Sequence, residues 1–284
     1  MRSLKSLNLK TLLIVCACVA LLAGVVQADP ETERQEMVDY FQKKFPNVEL
    51  AEFANGIYAF DANAREQWIE IEDFPPYEIA IEDGEAFFNT PFANGRGYAD
   101  CFENGGIAVR QNYPYFDSSK GEVITLEFAI NQCRQYSGEQ PLPWMTGELA
   151  AISAYMSFTS RRNPLDVQIS NDDSGALAAY AAGKQLYFTR RGQLNFACSH
   201  CHVQSAGLAL RADPLSTTLG QATHWPVYRF KWGEIGTLHK RFKECSEQVR
   251  AQPFEAQSAE WRNLEFYLTY MSNGLEINGP ASRR

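Results

Sequence analysis

An internal repeat constrains the fold of this chain more than any other feature of its sequence. A shift of 112 residues aligns positions 114–160 with 226–272 without a gap and gives 11 identities over 47 positions. Chance alone would give about three identities over such a length. The shared residues include Cys133 with Cys245 and Tyr155 with Tyr267. The sequence therefore predicts two copies of one structural unit.

Helical patterns at the end of each copy indicate that the unit is mainly α-helical. In the second copy, Ser258 can cap a helix that stops at Gly274. Its apolar stripe recurs every three or four positions and comprises Trp261, Leu264, Leu268 and Met271, so Met271 is interpreted as core packing. In the first copy, Thr146 is the corresponding cap and Asn163–Pro164 ends the helix.

Residues 1–28 are predicted to be a cleaved export signal. Three basic residues precede the apolar run Thr11–Val26, which closes on small residues at a cleavage site. The run has 16 residues, whereas a membrane span needs about 20, so an uncleaved anchor is the less favoured alternative. Cys16 and Cys18 would leave with the signal. The mature protein is expected in the periplasm.

Residues 198–202 read Cys-Ser-His-Cys-His, a C-x-x-C-H motif. Two thiols at this spacing can form thioethers with one haem, and the adjacent histidine can ligate its iron. We therefore predict one covalent haem c on Cys198 and Cys201, with His202 as an axial ligand. A zinc half-site would require a second Cys/His pair, and a thioredoxin-like redox pair would not require the histidine. His200 lies inside the motif and is expected to be exposed.

The repeat and the motif together predict a mainly α fold with two tandem cytochrome c-like domains from an internal duplication. The expected boundaries are 1–28 for the signal peptide, 29–160 for a haemless domain, 161–173 for a polar linker and 174–284 for the haem-binding domain. Ser174 is predicted to open an alanine-rich helix over residues 175–191, just before the motif. The first domain is expected to be haemless because it lacks a C-x-x-C-H motif.

The mature chain has an odd number of cysteines, namely Cys101, Cys133, Cys198, Cys201 and Cys245. Cys101 stands where the first repeat would carry a haem motif. If Cys101 and Cys133 once flanked the same haem, they would lie close together after its loss. In an oxidising compartment they are then expected to form a disulfide. Cys245 remains without a cysteine partner.

The sequence leaves the distal haem ligand open among His224, His239, Cys245 and Met271. Cys245 could be a buried, inert side chain. However, residues 229–250 carry six Lys or Arg against three acids, although the whole chain has a formal net charge of −8. Arg241 lies one helical turn before Cys245, and a nearby cation favours the thiolate. A solvated basic helix face is the alternative. The acidic chain as a whole is a poor nucleic-acid binder.

The haem motif, residues 225–254 and residues 264–277 together resemble the SoxA family, the cytochrome subunits of the thiosulfate-oxidising Sox system. The resemblance runs over nearly all of the mature chain. It implies that Cys245 is the distal haem ligand, a persulfide and the catalytic sulfur, and that Arg241 receives thiosulfate. It also implies a heterodimer with the small cytochrome SoxX and an L-cysteine S-thiosulfotransferase activity, which couples thiosulfate to a cysteine of the carrier SoxYZ and passes two electrons to haem. Some members carry two haems, but this chain lacks the first motif, so the single-haem branch is expected.

Two other functions remain open at this point. The chain could be a non-catalytic electron-transfer cytochrome c, with His224 or His239 as distal ligand and Cys245 merely packed. It could also serve mainly to dock a partner that carries the chemistry.

Mass spectrometry of proteolytic peptides tests the chemistry predicted for the cysteines. We expect a haem adduct on the peptide that contains Cys198 and Cys201, because the two thiols form thioethers. We also expect the mass of one additional sulfur atom on the Cys245 peptide. A Cys245 peptide that always has the mass of the plain thiol would favour the electron-transfer function.

Overall fold

The computed structural model describes residues 29–211 and 213–283, and the predicted signal peptide lies outside them. The helices are α1 Pro30–Lys44, α2 Ala62–Glu72, α3 Glu78–Asn89, α4 Leu126–Tyr136, α5 Gly147–Thr159, α6 Ser174–Phe188, α7 Leu238–Gln248 and α8 Ala259–Met271. The strands are β1 Tyr115–Asp117, β2 Glu122–Ile124, β3 Ala209–Leu210, β4 Asp213–Pro214, β5 Val227–Arg229, β6 Glu234–Gly236 and β7 Ala281–Arg283. Tight 3₁₀ turns occupy Leu50–Ala59, Tyr98–Asp100, Glu103–Gly106 and Arg110–Asn112, and a wide π-helical turn occupies His200–Gln204. None of the helices in the described ranges is long and apolar enough to cross a membrane.

The secondary structure confirms the mainly α fold and the duplication. Helices α4 and α7 both have 11 residues, helices α5 and α8 both have 13, and each pair is offset by the predicted 112 positions. The β1–β2 hairpin pairs Tyr115 with Ile124, and the β5–β6 hairpin pairs Val227 with Gly236 in the same register. The repeat therefore extends from the sequence to strand pairing.

In each repeat, two helices cross at a glycine without room for a side chain. Helix α3 crosses α5 at Gly84, where a Cβ atom would lie 2.0 Å from the carbonyl oxygen of Ala151. Helix α6 crosses α8 at Gly183, where a Cβ atom would lie 2.0 Å from the carbonyl oxygen of Asn263. Ala151 and Asn263 are equivalent positions of the repeat. Glycine is therefore required at both crossings because only hydrogen fits between the backbones.

Side chains of the first repeat fill its own core. This core comprises Phe88, Phe92, Tyr98, Phe102, Val109, Leu126, Ile130, Cys133, Leu149, Ile152 and Met156. Cys101 and Cys133 form the expected disulfide at its edge. The first repeat thus has an aromatic and aliphatic core of its own.

The two halves meet through reciprocal contacts. The Thr125 hydroxyl donates to the side-chain oxygen of Gln257 at 2.8 Å, and the backbone N–H of Thr237 donates to the carbonyl oxygen of Met145 at 2.9 Å. Thr125 and Thr237 are equivalent in the repeat, as are Met145 and Gln257. Such a reciprocal pattern places the halves about an approximate two-fold axis.

The N-terminal segment packs on the second repeat, although the sequence assigned it to the first domain. Its core contacts join Val38, Phe41, Phe53 and Ala54 to Ala206, Leu219 and Leu275. The physical reason is that α1 buries its apolar side chains on the nearest apolar surface, which belongs to the second repeat. The order of segments along the chain does not determine which repeat α1 packs against. The domain boundaries stay a prediction.

The segment predicted as a polar linker runs alongside the C-terminal segment. The backbone N–H of Arg162 donates to Ile277 and that of Leu165 donates to Leu275, both at 2.9 Å. Leu165 and Val167 are buried. The backbone of this segment is therefore paired with the second repeat rather than solvated.

The helix before the haem motif is shorter than predicted. It begins at Ser174 and ends at Phe188, three residues before the expected end. The carboxylate of Asp173 accepts hydrogen bonds from the backbone N–H groups of Gly175 and Ala176, so Asp173 is the N-cap. At the N-terminus of α5, Thr146 occupies the predicted cap position without a side-chain capping bond.

Replacing Gly183 by alanine tests the helix crossing. We expect Gly183→Ala to lower the free energy of unfolding by about 1–3 kcal/mol, because α8 must move to admit a methyl group. Urea denaturation of the haem-loaded protein measures this change. Gly97→Ala is the control, since a Cβ atom there meets nothing within 4 Å. Equal stabilities of the two variants would contradict the close crossing.

Candidate functional site

The haem motif lies in a turn that α1 helps to hold. Residues His200–Gln204 form one wide helical turn. The ammonium group of Lys44, at the end of α1, donates to the carbonyl oxygens of Val203 at 3.0 Å and Gln204 at 2.9 Å. These bonds satisfy carbonyl groups that the turn leaves without a helical partner. The motif is thus fixed from the N-terminal segment as well as from α6.

His202 is oriented by a backbone carbonyl. Its Nδ1 lies 3.0 Å from the carbonyl oxygen of Ser216, which can only accept, so Nδ1 carries the proton and Nε2 keeps its lone pair. Burial lowers the pKa of His202 to about 4, and the nearby Arg241 guanidinium acts in the same direction. The imidazole is therefore neutral at physiological pH. A neutral imidazole with one nitrogen held by a carbonyl is the form that ligates metals.

Cys198, Cys201 and Cys245 are not bridged to one another. Burial, followed by the neighbouring Cys245 thiol, raises the pKa of Cys198 to about 12 and also raises the pKa of Cys201. The Cys245 thiol is thus within electrostatic range of both motif thiols, and Phe242, on the same helix as Cys245, packs against the same core as Cys198. A raised pKa suppresses the thiolate, so the pair is unsuited to thiol–disulfide exchange.

Helix α7 brings Arg241 to the same place. The Arg241 guanidinium lowers the pKa of His202 and opposes the rise in the Cys201 pKa, so its positive charge is felt at both residues. Arg241 also donates from Nη1 to the carboxylate of Glu244. Since Arg241 and Cys245 lie one turn apart, α7 presents a guanidinium and a thiol together. Their roles in binding and catalysis stay predictions.

His239 is engaged inside the protein. The backbone N–H of Gln257 donates to His239 Nδ1 at 3.2 Å, so the ring proton lies on Nε2. That nitrogen contacts the Glu265 carboxylate at 3.2 Å, an electrostatic contact without good hydrogen-bond alignment. His239 is only 1% exposed. It therefore neither faces water nor offers a free nitrogen, which argues against it as the distal ligand.

Two other candidate ligands, His224 and Met271, are enclosed by neighbouring residues, as is His200 of the motif. His224 is buried, its Nδ1 lies 3.3 Å from the Thr223 hydroxyl, and its ring lies beside Gly56. Met271 is buried in the core of the second repeat, as its position on the apolar stripe predicts. His200 is half-buried rather than exposed, because its Nδ1 accepts a hydrogen bond from the backbone N–H of Ala197 at 3.0 Å.

Sequence reasoning missed three residues that shape the site. Ser216 orients His202, Glu265 contacts His239, and Glu244 pairs with Arg241. Glu244 was detectable as an acid three positions after Arg241 on a predicted helix. Ser216 contacts His202 Nδ1 through its backbone carbonyl at 3.0 Å and its hydroxyl at 3.2 Å, and no motif in the sequence links it to His202, 14 positions earlier.

The described residues fit a covalently attached haem. The motif supplies two thiols and an imidazole with a free Nε2, and the surroundings are apolar. The side chains of Cys198, Val203 and Phe242 pack against the core that contains Tyr187 and Tyr267. Among the described residues, no group of three His, Cys, Asp or Glu side chains could hold a bare metal ion. The donor set is therefore that of a haem c site.

Comparison with known proteins identifies relatives over nearly the whole chain. The family model for the SoxA/TsdA cytochrome c domain matches residues 83–165 and 182–277. The chain is 52% identical over 272 residues to a protein of Allochromatium vinosum named L-cysteine S-thiosulfotransferase subunit SoxA, covering 96% of each. A protein of the same name from Chlorobaculum tepidum is 51% identical over 265 residues, covering 90% of this chain and 92% of that protein.

A solved structure shares the fold. The crystal structure of SoxXA from P. pantotrophus contains a chain that aligns with a TM-score of 0.71 and 29% identity, covering 80% of this chain and 86% of that chain.

The spectrum of the oxidised haem protein tests which candidate lies at the iron. We expect His239→Gln to leave the electronic and EPR spectra unchanged, because the His239 side chain is buried against Glu265 and offers no free nitrogen. Cys245→Ala is the paired variant, and we expect it to lose the low-spin signature of thiolate ligation. A spectrum altered by His239→Gln but not by Cys245→Ala would assign the ligand to His239.

Proposed function

The chain belongs to the SoxA/TsdA cytochrome c family, and we propose that it is the SoxA-type subunit of an L-cysteine S-thiosulfotransferase. The reaction joins thiosulfate to a cysteine of the sulfur carrier SoxYZ. A sulfur–sulfur bond forms between the terminal sulfur of thiosulfate and the carrier sulfur, while the thiol proton and two electrons leave. One observation carries the proposal: α7, which bears the unbridged Cys245 with Arg241 one turn before it, packs through Phe242 against the same core as Cys198 of the haem motif.

Arg241 would bind the substrate anion. Thiosulfate carries two negative charges, and a guanidinium offers a planar set of N–H donors to its oxygens. Local positive charge is required because the whole chain is acidic, with a formal net charge of −8. Shielding from bulk water supports this role, since Arg241 is 24% exposed and its charge is felt at Cys201 and His202.

Cys245 would perform the sulfur chemistry. Its sulfur, carried as a persulfide, would accept and relay the thiosulfate sulfur, which divides one difficult oxidation into smaller steps. The availability of its thiol supports this assignment, because Cys245 belongs neither to the C-x-x-C-H motif nor to the Cys101–Cys133 disulfide. Arg241 lies one helical turn before this thiol.

Cys198 and Cys201 would hold one haem c, and His202 and Cys245 would ligate its iron. The bound haem supplies an acceptor for the electrons that the coupling releases. A single C-x-x-C-H motif in the sequence supports one haem. The partner is a SoxX-type small cytochrome, supported by the similar SoxXA structure. Periplasmic location is supported by the disulfide and by the predicted export signal.

Two variants test the assigned roles in thiosulfate-dependent modification of the carrier. Cys245→Ala is expected to abolish coupling, because it removes the relaying sulfur. Arg241→Ala is expected to raise the KM for thiosulfate about tenfold or more, because a charge-assisted contact is lost. Lys243→Ala is the matched control, since it removes an exposed positive charge from the same helix. Steady-state rates with the heterodimer measure all three.

The outcomes separate the proposed enzyme from its alternatives. Unchanged turnover by Cys245→Ala would end the catalytic assignment. An unchanged KM for Arg241→Ala would mean that the subunit docks partners and binds the anion elsewhere. Equal increases in the KM for thiosulfate in Arg241→Ala and Lys243→Ala would mean that Arg241 acts only through general electrostatic attraction.

A further inference from the structure

Glu244 joins two cations beside the proposed catalytic sulfur. Its carboxylate accepts from Nη1 of Arg241 through one oxygen and from the ammonium group of Lys231 through the other. The Glu244 side chain is 13% exposed and that of Arg241 is 24% exposed. The Arg241–Glu244 pair is therefore largely shielded from water, unlike solvated surface pairs that contribute little.

The repeat shows that the scaffold does not require this cluster. At the equivalent positions of the haemless half, the chain carries Gln132 for Glu244, Ala129 for Arg241 and Ser119 for Lys231. Helix α4 nevertheless has the same bounds and length as α7 at the repeat offset. The carboxylate and its two cations thus occur together in the half that has the haem motif, which associates them with the site.

Glu244 is negatively charged at neutral pH. Its two oxygens accept hydrogen bonds from two cations, Arg241 and Lys231, which is the pairing expected of an ionised carboxylate. The carboxylate is therefore a resident anion on the guanidinium that the proposed function assigns to thiosulfate. An incoming dianion experiences repulsion from Glu244 as well as attraction to Arg241.

We propose that Glu244 is a positioning and charge-balancing residue for anion binding at Arg241, an inference that rests on the proposed function. Its hydrogen bond fixes the guanidinium next to Cys245. Its negative charge lowers the affinity of the site for anions. Thiosulfate, a sulfonate-bearing product and unreactive sulfate therefore dissociate faster than they would without Glu244. Glu244 thereby contributes to turnover and to discrimination against unreactive anions.

Replacing Glu244 by glutamine separates charge from shape. Glu244→Gln keeps a side-chain oxygen that can accept from Arg241 but removes the negative charge. We expect the Kd of the haem-loaded heterodimer for thiosulfate, titrated without carrier, to fall about fivefold. Inhibition of turnover by sulfate is expected to strengthen by a similar factor. Glu234→Gln is the matched control, because Glu234 pairs with Lys240 at 2.5 Å in the same basic segment, and its thiosulfate Kd should not change.

A second pair of variants tests positioning. Glu244→Asp retains the charge and is expected to bind thiosulfate with a Kd near that of the unmodified protein. Glu244→Ala removes both the charge and the hydrogen bond, so its kcat is expected to fall below that of Glu244→Gln while its Kd stays low. Equal kcat values for the alanine and glutamine variants would contradict a positioning role.

The arginine variant distinguishes failure of this inference from failure of the proposed function. If Arg241→Ala weakens thiosulfate binding but Glu244→Gln leaves it unchanged or weaker, the charge-balancing role of Glu244 is wrong and the anion site stands. If Arg241→Ala leaves thiosulfate binding unchanged, the anion site itself is misplaced. In the Arg241→Ala background, the tightening caused by Glu244→Gln should disappear, because the two residues act on the same anion.

Discussion

The close crossing of α6 and α8 at Gly183 organises the haem-binding half. Backbone contact with Asn263 fixes how the two helices meet, and Tyr187 and Tyr267 pack beside the crossing with ring centroids 5.4 Å apart. Because the haem motif follows α6 after a short loop, this crossing also sets where the motif starts. Phe242 anchors α7 to the same core. The relative position of Cys245 and the motif therefore depends on a glycine that has no chemical role of its own.

The duplication places a cysteine at the same position of both repeats, but the two cysteines differ in their bonding. Cys133 and Cys245 occupy equivalent places on helices of equal length. In the first half, Cys133 forms a disulfide with Cys101, and aromatic side chains form much of the core. In the second half, two motif cysteines are reserved for haem and Cys245 stays unbridged. The odd thiol among the described cysteines is thus the repeat counterpart of a disulfide-bonded cysteine.

The repeat, its helices and the pairing of Cys101 with Cys133 could be predicted from sequence because each leaves a local signal. A fixed offset reveals duplication, and spacing reveals the haem motif. The packing of α1 on the second repeat could not be predicted, since its apolar side chains fit either half by composition alone. The environment of His239 was equally hidden, because Glu265 lies 26 residues away and meets it only after α7 and α8 pack. Long-range partners of buried polar groups leave no periodic pattern.

The buried polar groups between the two halves give the start of α7 its fixed position. His239 and Glu265 occupy the repeat positions of Glu127 and Ser153. The Ser153 hydroxyl donates to Glu127 at 2.8 Å, and burial together with the nearby Glu265 raises the pKa of Glu127. The shift favours the neutral form of Glu127, the form that costs less to bury. A buried polar group without a hydrogen-bond partner lowers the stability of the fold. These buried polar groups therefore allow few ways of packing the two halves together. Two turns further along α7, that restriction fixes where Cys245 lies.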